Sequence, residues 1–159
     1  MLQPERYFCL QQIKAVYGYD YRSDWHADLD SLLDAHGIYS ATQCGAFITK
    51  KNQGSIIGVG GLRGLSTHQA SWERLGDRYG GPVGALWRVY VDNSVQGRGI
   101  GTKIVAGLEQ RAVQVGYTYL YLHTSRNNPN AVLFWEKRGY VIFAEDNNHD
   151  RTVHMHKKL

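Results

Sequence analysis

The first apolar pattern of the chain has helical spacing. Residues 4–17 place Phe8, Ile13 and Val16 near one face of a helix, between Pro4 at a typical first-turn position and Gly18 as a typical stop. Residues 24–36 predict a second helix, because leucines recur there behind an N-cap at Ser23 or Asp24: Leu29, Leu32 and Leu33. The aromatic and acidic connector between the two helices is either a solvated turn or part of a pocket.

The next patterns indicate strands. Residues 45–50 and 55–62 are rich in β-branched and aromatic residues and flank a short polar turn, which predicts a hairpin. Residues 63–84 are polar and glycine-rich, so we expect a long loop with a helical turn at 71–75. Residues 85–92 again have the composition of a strand.

A third helix begins at Gly99 and ends at Gly116, since one apolar stripe runs through it: Ile100, Ile104, Leu108, Ala112 and Val115. A strand at 117–124, a helix from Pro129 to before Gly139, and two strands at 140–145 and 151–157 complete the pattern. This order predicts a single mixed α/β domain, residues 1–159, built around one sheet.

Composition narrows the classes of protein that fit. With 159 residues, 43% apolar and 20% charged, the chain belongs to the ordinary globular class rather than the disordered one. The net charge of +4 is dispersed, which favours anionic ligands slightly and is not a nucleic-acid signature. Cys9 and Cys44 lack metal or redox spacing, so we expect reduced, mostly buried thiols, and no membrane segment is predicted. A cytoplasmic protein is expected.

Residues 91–102, VDNSVQGRGIGT, stand between a predicted strand and a predicted helix. A glycine turn that enters a helix N-terminus offers unpaired N–H groups and positive potential to an anion, and Arg98 adds a formal charge. The dinucleotide fingerprint fails because residue 104 is Ile, and the nucleotide P-loop fails because Thr102 follows Gly101. A phosphate or pyrophosphate is therefore predicted on residues 97–102, although a ligand-free turn is an alternative.

The spacing Gln96-x-x-Gly99-x-Gly101 resembles the cofactor signature of the GNAT superfamily of N-acetyltransferases. The strand at residues 86–92, LWRVYVD, is similar to that family's fourth strand, and residues 128–140, NPNAVLFWEKRGY, are similar to its second motif. The resemblance implies a GNAT-like domain with a central, mostly antiparallel sheet that is splayed between strands four and five and flanked by helices. It also implies acetyl-CoA as the co-substrate. His154 and His156 would lie on one face of a strand, but no third ligand is nearby, so we expect no metal.

The resemblance also implies which residues contact acetyl-CoA. The pyrophosphate would bind along the glycine loop, and the pantetheine arm would run along the backbone of the preceding strand. Asn128 would bind the pantetheine side or serve as a helix N-cap, and Trp135 would pack against the pantetheine or acetyl group. The expected cofactor-binding residues are Val89, Tyr90, Val91, Gln96, Gly97, Arg98, Gly99, Ile100, Gly101, Thr102, Asn128 and Trp135.

The usual acid and base of the family are missing. Many members carry a glutamate where this chain has Ala85, and the usual acid tyrosine is Trp135. Because an alkyl amine has a reference pKa near ~10.4, a group must accept its proton before attack. His123 stands where some members have a strand-five base, so it is the candidate general base; the alternative is a half-buried structural histidine. Tyr90, Tyr140 or water could supply the acid.

In the family that the chain resembles, the acceptor amine is held by the first two helices, their connector and the loops opposite the cofactor. There Asp24 and Trp25 are candidate substrate residues that could attract a cationic amine and stack on it, or could simply cap and solvate a helix. The loop at 63–84, with Trp72 and Glu73, could close over the acceptor.

Three functions compete. The first is an N-acetyltransferase that moves acetyl from acetyl-CoA to a primary amine of a small molecule or peptide by direct attack in a ternary complex. The second is a catalytically weak or inactive acyl-CoA-binding module. The third, a nucleic-acid binder, rests only on the charge, and we expect no nucleic-acid or membrane partner. Homodimers are frequent in the family, but no residue of this sequence indicates one.

Overall fold

The computed structural model describes residues 3–65 and 79–159. The helices are α1 (Pro4–Tyr17), α2 (Ser23–His26), α3 (Ile100–Val115) and α4 (Pro129–Glu136), with short 3-10 helices at Ala27–Ser31, Ala41–Gln43 and Asn93–Val95. The strands are β1 (Ala46–Asn52), β2 (Ser55–Gly64), β3 (Val83–Val91), β4 (Tyr119–Ser125), β5 (Val141–Glu145) and β6 (Thr152–Lys158). Trp72, Glu73 and the helical turn expected at 71–75 lie outside the described residues.

The six strands form one sheet in the order β1-β2-β3-β4-β6-β5. The β1–β2, β4–β6 and β5–β6 pairs are antiparallel, whereas β3 and β4 are parallel because helix α3 connects them as a crossover. The β3–β4 register pairs only Val83–Ala85 with Tyr119–Tyr121. The predicted order of helices and strands and the mixed, mostly antiparallel fold are confirmed.

Two local expectations were wrong. The second helix was expected to run to residue 36, but α2 ends at His26 and continues as a 3-10 helix to Ser31. The aspartates of this 3-10 segment bond to side chains outside it: Asp28 to Arg88 and Tyr39, and Asp30 to Arg6 and Tyr21. The thiols were both expected to be buried, yet only Cys9 is, and Cys44 is exposed in a left-handed turn. Burial, opposed by the charge of Arg88, raises the pKa of the Cys9 thiol to about 12.

The chain divides into two compact units, residues 1–64 with 86–115, and residues 65–85 with 116–159. In the first unit, α1 packs on β2 and encloses a buried cluster: Phe8, Cys9, Ile13, Leu29, Leu32, Tyr39 and Val59. In the second unit, α4 packs on β4, and the buried residues include Leu120, Leu122, Val132, Trp135, Tyr140, Val153 and Met155. Each unit thus has its own buried apolar residues.

Glycines line the contact between helix α3 and strands β1 and β2, and they allow a close approach. A Cβ on Gly60 of β2 would lie 2.5 Å from Ile104 Cγ2, and one on Gly58 would lie 2.9 Å from Ile104 Cδ1. On the helix side, a Cβ on Gly107 would lie 2.8 Å from Ile48 Cδ1. Real side chains could not occupy these positions without displacing a neighbour, so the glycines fix the depth of the helix.

A buried ion pair joins α2's segment to β3. Arg88 donates from Nη2 to Asp28 Oδ1 at 2.7 Å and from Nε to Asp28 Oδ2 at 3.0 Å, and Nη2 also reaches the carbonyl of Trp25 at 2.8 Å. Tyr39 donates to Asp28 Oδ2 at 2.5 Å. The two charged side chains are only 9% and 7% exposed. Since both carboxylate oxygens are bonded, the charge of Asp28 is compensated inside the unit.

The alternation of side chains between the two faces of β3 is interrupted at Arg88. This residue has φ of 53°, which is rare for a residue with a side chain. Trp87 packs against the α1 cluster, Arg88 reaches Asp28 on the same side, and Val89 faces the α3 side near Gly60. Two consecutive residues thus share a face, as in a β-bulge.

We predict that Gly60→Ala destabilises the protein by about 1–3 kcal/mol, because the new methyl group would overlap Ile104 in a packed contact. Urea unfolding would measure the loss. Gly80→Ala is the control, since a Cβ there meets no atom within 4 Å. Equal stability of Gly60→Ala and wild type would show that α3 can shift freely.

We predict that Asp28→Asn lowers the free energy of unfolding by about 3–5 kcal/mol, because it leaves the guanidinium of Arg88 buried without a counter-charge. Burial raises the pKa of Asp28, but the Arg88 hydrogen bonds outweigh it and the net pKa is lowered. The wild-type contribution is therefore complete at neutral pH and is lost as the pH falls below about 4.

Denaturant unfolding at several pH values would measure both effects. Asp20→Asn removes the exposed Lys14–Asp20 pair, in which the side chains are 56% and 85% exposed, and should cost under about 1 kcal/mol. An Asp28→Asn variant as stable as the Asp20→Asn variant would contradict the prediction.

Candidate active site

The glycine loop follows β3 and is tied back to it. Asp92 accepts hydrogen bonds from the backbone N–H of Ser94 at 2.9 Å and from its hydroxyl, which starts the 3-10 turn. Gln96 Nε2 donates to the carbonyl of Val91 at 3.2 Å and to Asn93 Oδ1 at 2.8 Å. The Gln96 side chain, expected to bind cofactor, therefore holds the shape of the loop through these bonds.

The turn into α3 needs glycine for its backbone. Gly97 and Gly99 have φ of 78° and 77°, where other residues are strained, and a Cβ on either would meet no atom within 4 Å. The carbonyl of Gly99 accepts the first helical hydrogen bond, from Lys103 N–H at 3.1 Å. Backbone N–H groups at the start of a helix point toward its N-terminus, and here that end lies beside the bare backbone of Gly97 and Gly99.

The remaining loop residues are placed as the anion prediction requires. Arg98 and Thr102 are exposed, whereas Gly101 is buried against the sheet, and Ile100 lies 3.1 Å from the Cβ position of Gly58. The loop thus combines bare backbone, a helix N-terminus and one guanidinium. Such a surface suits a diphosphate, because all three features stabilise negative charge.

The strand residues expected along the pantetheine lie immediately before this loop. Val89 faces α3, while the Tyr90 ring packs against the α1 cluster, and burial raises the pKa of its hydroxyl. Val91 supplies the carbonyl that holds Gln96. Because the side chains of Val89 and Tyr90 pack against neighbouring elements, the expected contact with the pantetheine is through the backbone. That contact stays a prediction.

Three other candidate residues belong to the second unit. Asn128 caps α4, since its Oδ1 accepts from Ala131 N–H at 3.2 Å, which confirms the N-cap alternative and leaves its amide nitrogen as a donor. Trp135 is 7% exposed, and its ring meets the Tyr140 ring edge-on at 5.2 Å. Ala85 is fully buried and pairs with Tyr121 in the β3–β4 ladder, so no side-chain base exists there.

His123 is exposed on β4, directly opposite His154 of β6. Its ring centroid lies 6.4 Å from Tyr121 and 6.5 Å from His154. An exposed imidazole can exchange protons with water or substrate, so its placement is compatible with a base. Its catalytic role stays a prediction.

Sequence reasoning missed the polar chain beside His123. Tyr121 Oη lies 2.7 Å from His154 Nδ1, and His154 Nε2 lies 3.1 Å from Asp146 Oδ2. His154 is 6% exposed and Tyr121 is fully buried. The alternation of His154 and His156 placed them on one face, but the loop residue Asp146 gave no signal in the sequence.

The acceptor-side candidates are exposed and already engaged. Asp24 forms an ion pair with Arg22 at 2.9 Å, and the Arg22 guanidinium lies 3.9 Å from the centroid of the Trp25 ring. The neighbouring Asp20, Asp28 and Asp30 pair with Lys14, Arg88 and Arg6. Local cations therefore balance the negative charge that was expected to attract an amine.

The described residues contain neither a cluster of metal ligands nor a membrane-spanning helix. Among residues 3–65 and 79–159, no group of three or more histidine, cysteine, aspartate or glutamate side chains could hold a metal ion. Within the same ranges, every helix is too short or too polar to cross a bilayer.

Comparison with known proteins assigns the chain to a family. Mycothiol acetyltransferase from Saccharomonospora viridis is 26% identical over 142 residues, which are 86% of this chain and 44% of that relative. The chain spans less than half the length of the curated relatives it matches.

Two solved structures have the same fold. A GNAT-family acetyltransferase from Staphylococcus aureus superposes with a TM-score of 0.74 at 18% identity, covering 98% of this chain and 91% of that one. Arabidopsis thaliana Naa50, in complex with the bisubstrate analogue CoA-Ac-MVNAL, gives 0.65 at 17% identity, covering 96% and 91%. The family model described as acetyltransferase (GNAT) family matches residues 10–140, so this chain belongs to the GNAT family of acetyltransferases.

Proposed function

We propose that this protein transfers an acetyl group from acetyl-CoA to a primary amine of a small molecule or peptide. The observation that carries the proposal is the glycine loop: Gly97 and Gly99 expose bare backbone immediately before the N-terminus of α3. Membership of the GNAT family supports the same reaction, since acetyl-CoA-dependent N-acetylation is the general reaction of that family.

The residues present fit the cofactor. Space is open where a Cβ of Gly97 or Gly99 would stand, and the first turn of α3 directs its N–H groups there. Gly97–Thr102 would hold the diphosphate and the backbone of Val89–Val91 the pantetheine, whereas a role for Asn128 rests on the family resemblance alone. When bound, acetyl-CoA supplies the thioester carbon that an amine attacks and a thiolate that leaves.

The protein's own contribution to the reaction is proton handling and positioning. His123 would accept the proton of the acceptor ammonium, directly or through one water, so that the amine nitrogen has a lone pair for attack. Because Ala85 is buried and apolar, no carboxylate at that position competes for the role. The thiolate is a good leaving group, so it can be protonated by water without a tyrosine at position 135.

The acceptor class is drawn from two observations. The Naa50 neighbour binds an analogue that joins CoA to a peptide, and mycothiol acetyltransferase is named for a small molecule. We therefore include both peptide and small-molecule amines. Trp25, 48% exposed, would offer an aromatic surface to the acceptor beside Asp24.

A second candidate is an acyl-CoA-binding module with weak or no catalysis. The observation that favours it is the replacement of two usual catalytic groups by the buried side chains of Ala85 and Trp135. Tight acetyl-CoA binding without thiol release over a broad amine panel would favour this module over the enzyme.

We predict that Gly99→Ala raises the Kd for acetyl-CoA at least about tenfold, because a methyl group would stand on the phosphate-facing backbone. Gly116→Ala is a matched control at the other end of α3, since φ is 91° there and its Cβ also meets no atom within 4 Å. Both substitutions strain a left-handed residue by about 1–2 kcal/mol. Isothermal titration calorimetry with acetyl-CoA would separate them, and equal Kd values would refute the phosphate site.

We predict that His123→Ala lowers kcat by about 100-fold or more while the Kd for acetyl-CoA stays within about twofold of wild type, because a general base acts after binding. The low-pH limb of the kcat profile should also disappear. His149→Ala removes another exposed histidine and serves as the control. Thiol-release kinetics with any accepted amine would measure kcat, and wild-type turnover in His123→Ala would remove this residue as the base.

A further inference from the structure

Among the described residues, one carboxylate of the first unit, Asp28, lies near two partly or fully buried arginines. Around Asp28 stand two arginines, Arg88 and Arg63. Arg88 occupies both carboxylate oxygens of Asp28, with Tyr39 as an additional donor. Arg63, near the end of β2, is left without a carboxylate of its own among the described residues.

The side chain of Arg63 is held in place but not saturated. Its guanidinium carbon lies 5.2 Å from the centroid of the Trp87 ring, which supports the flat face of the cation. Its Nε is buried and has no hydrogen-bond partner among the described residues. Burial lowers the pKa of Arg63, and this effect outweighs the opposing effects of Tyr39, which shares a side-chain hydrogen bond with it, and of the Asp28 charge.

A partly desolvated guanidinium with unused donors is costly unless an anion completes it. The planar fork of arginine matches a carboxylate through two parallel hydrogen bonds. One surplus positive charge is balanced by a carboxylate, whereas a phosphate monoester carries about −1.5 to −2. One carboxylate therefore matches the charge and the planar shape of the Arg63 guanidinium, which the Trp87 ring supports.

We propose that Arg63, supported by Trp87, binds a carboxylate carried by the acceptor, so that the preferred acceptors are amines that also bear a carboxylate, such as amino acids. This proposal rests on the proposed acetyl transfer. Arg63 and Trp87 both belong to the segment that also contains α1, α2 and residues 86–91 of β3. The segment includes Asp24 and Trp25, the residues expected on the acceptor side.

The test uses matched acceptor pairs that differ only in the carboxylate. Glycine, L-alanine, β-alanine and L-lysine would each be compared with their amides and with the corresponding aminoalkyl phosphonates, using thiol release from acetyl-CoA. In the wild type, kcat/KM should favour at least one carboxylate over its amide by about tenfold or more, mainly through KM. Preference for the phosphonate over the carboxylate would replace the proposed ligand by a phosphate-like group and so overturn the proposal.

Two variants assign the preference to the residue. Arg63→Met should abolish the difference between carboxylate and amide, and Arg63→Lys should retain part of it because a single cation remains. Lys50→Met, which removes an exposed cation from β1, should leave the preference unchanged. The melting temperature and the Kd for acetyl-CoA would be measured for every variant, so that a folding defect is separated from lost recognition.

The outcome for acetyl transfer and the outcome for Arg63 are read separately. If the wild type binds acetyl-CoA but releases no thiol with any amine, the proposed activity fails, and calorimetric titration of the same amino acids into the CoA-bound protein decides the role of Arg63. Binding that is lost in Arg63→Met supports the carboxylate site. Amide preference in the wild type, unchanged preference in Arg63→Met, or no binding of any carboxylate would each overturn it.

Discussion

A helix can approach a sheet only as closely as the side chains between them allow, and in this protein three glycines set that limit. Gly58, Gly60 and Gly107 bring the backbone of α3 near that of β1 and β2, with Ile104 filling the space between them. The first turn of α3 is also the turn that carries the anion-binding loop. Hence the position of the candidate phosphate site depends on residues of β2, a strand that lies outside the loop in sequence.

The second constraint is electrostatic. Arg88 and Asp28 are both nearly inaccessible, so neither can be removed without leaving an isolated charge. This pair connects the short α2 region to β3 and occupies Asp28, so Arg63 has no carboxylate of its own within residues 3–65 and 79–159. A structural ion pair and a candidate ligand site are thus parts of one charge balance.

Much of the fold could be predicted from periodicity because α1, α3 and the hairpin have strong apolar patterns and clear glycine stops. The extent of α2 could not, because the 3-10 segment Ala27–Ser31 is held by Asp28 reaching Arg88, a partner 60 residues away that no local pattern indicates. The glycine spacing predicted the loop and its helix. The partners of His154 and the exposure of Cys44 could not be predicted, because they depend on loops whose conformation leaves no periodic signal.

The interrupted alternation of side chains at Arg88 limits where this chain can be recombined with its relatives. A one-residue shift in a strand exchanges the faces of all later side chains. Trp87 and Arg88 share a face, so the segments of β3 before and after this point follow opposite alternations. A chimera in which β3 keeps every residue but alternates regularly through this point would turn Val89 toward α1 and the Tyr90 ring toward α3. Crossovers should therefore be placed outside β3, and the strand exchanged as one block.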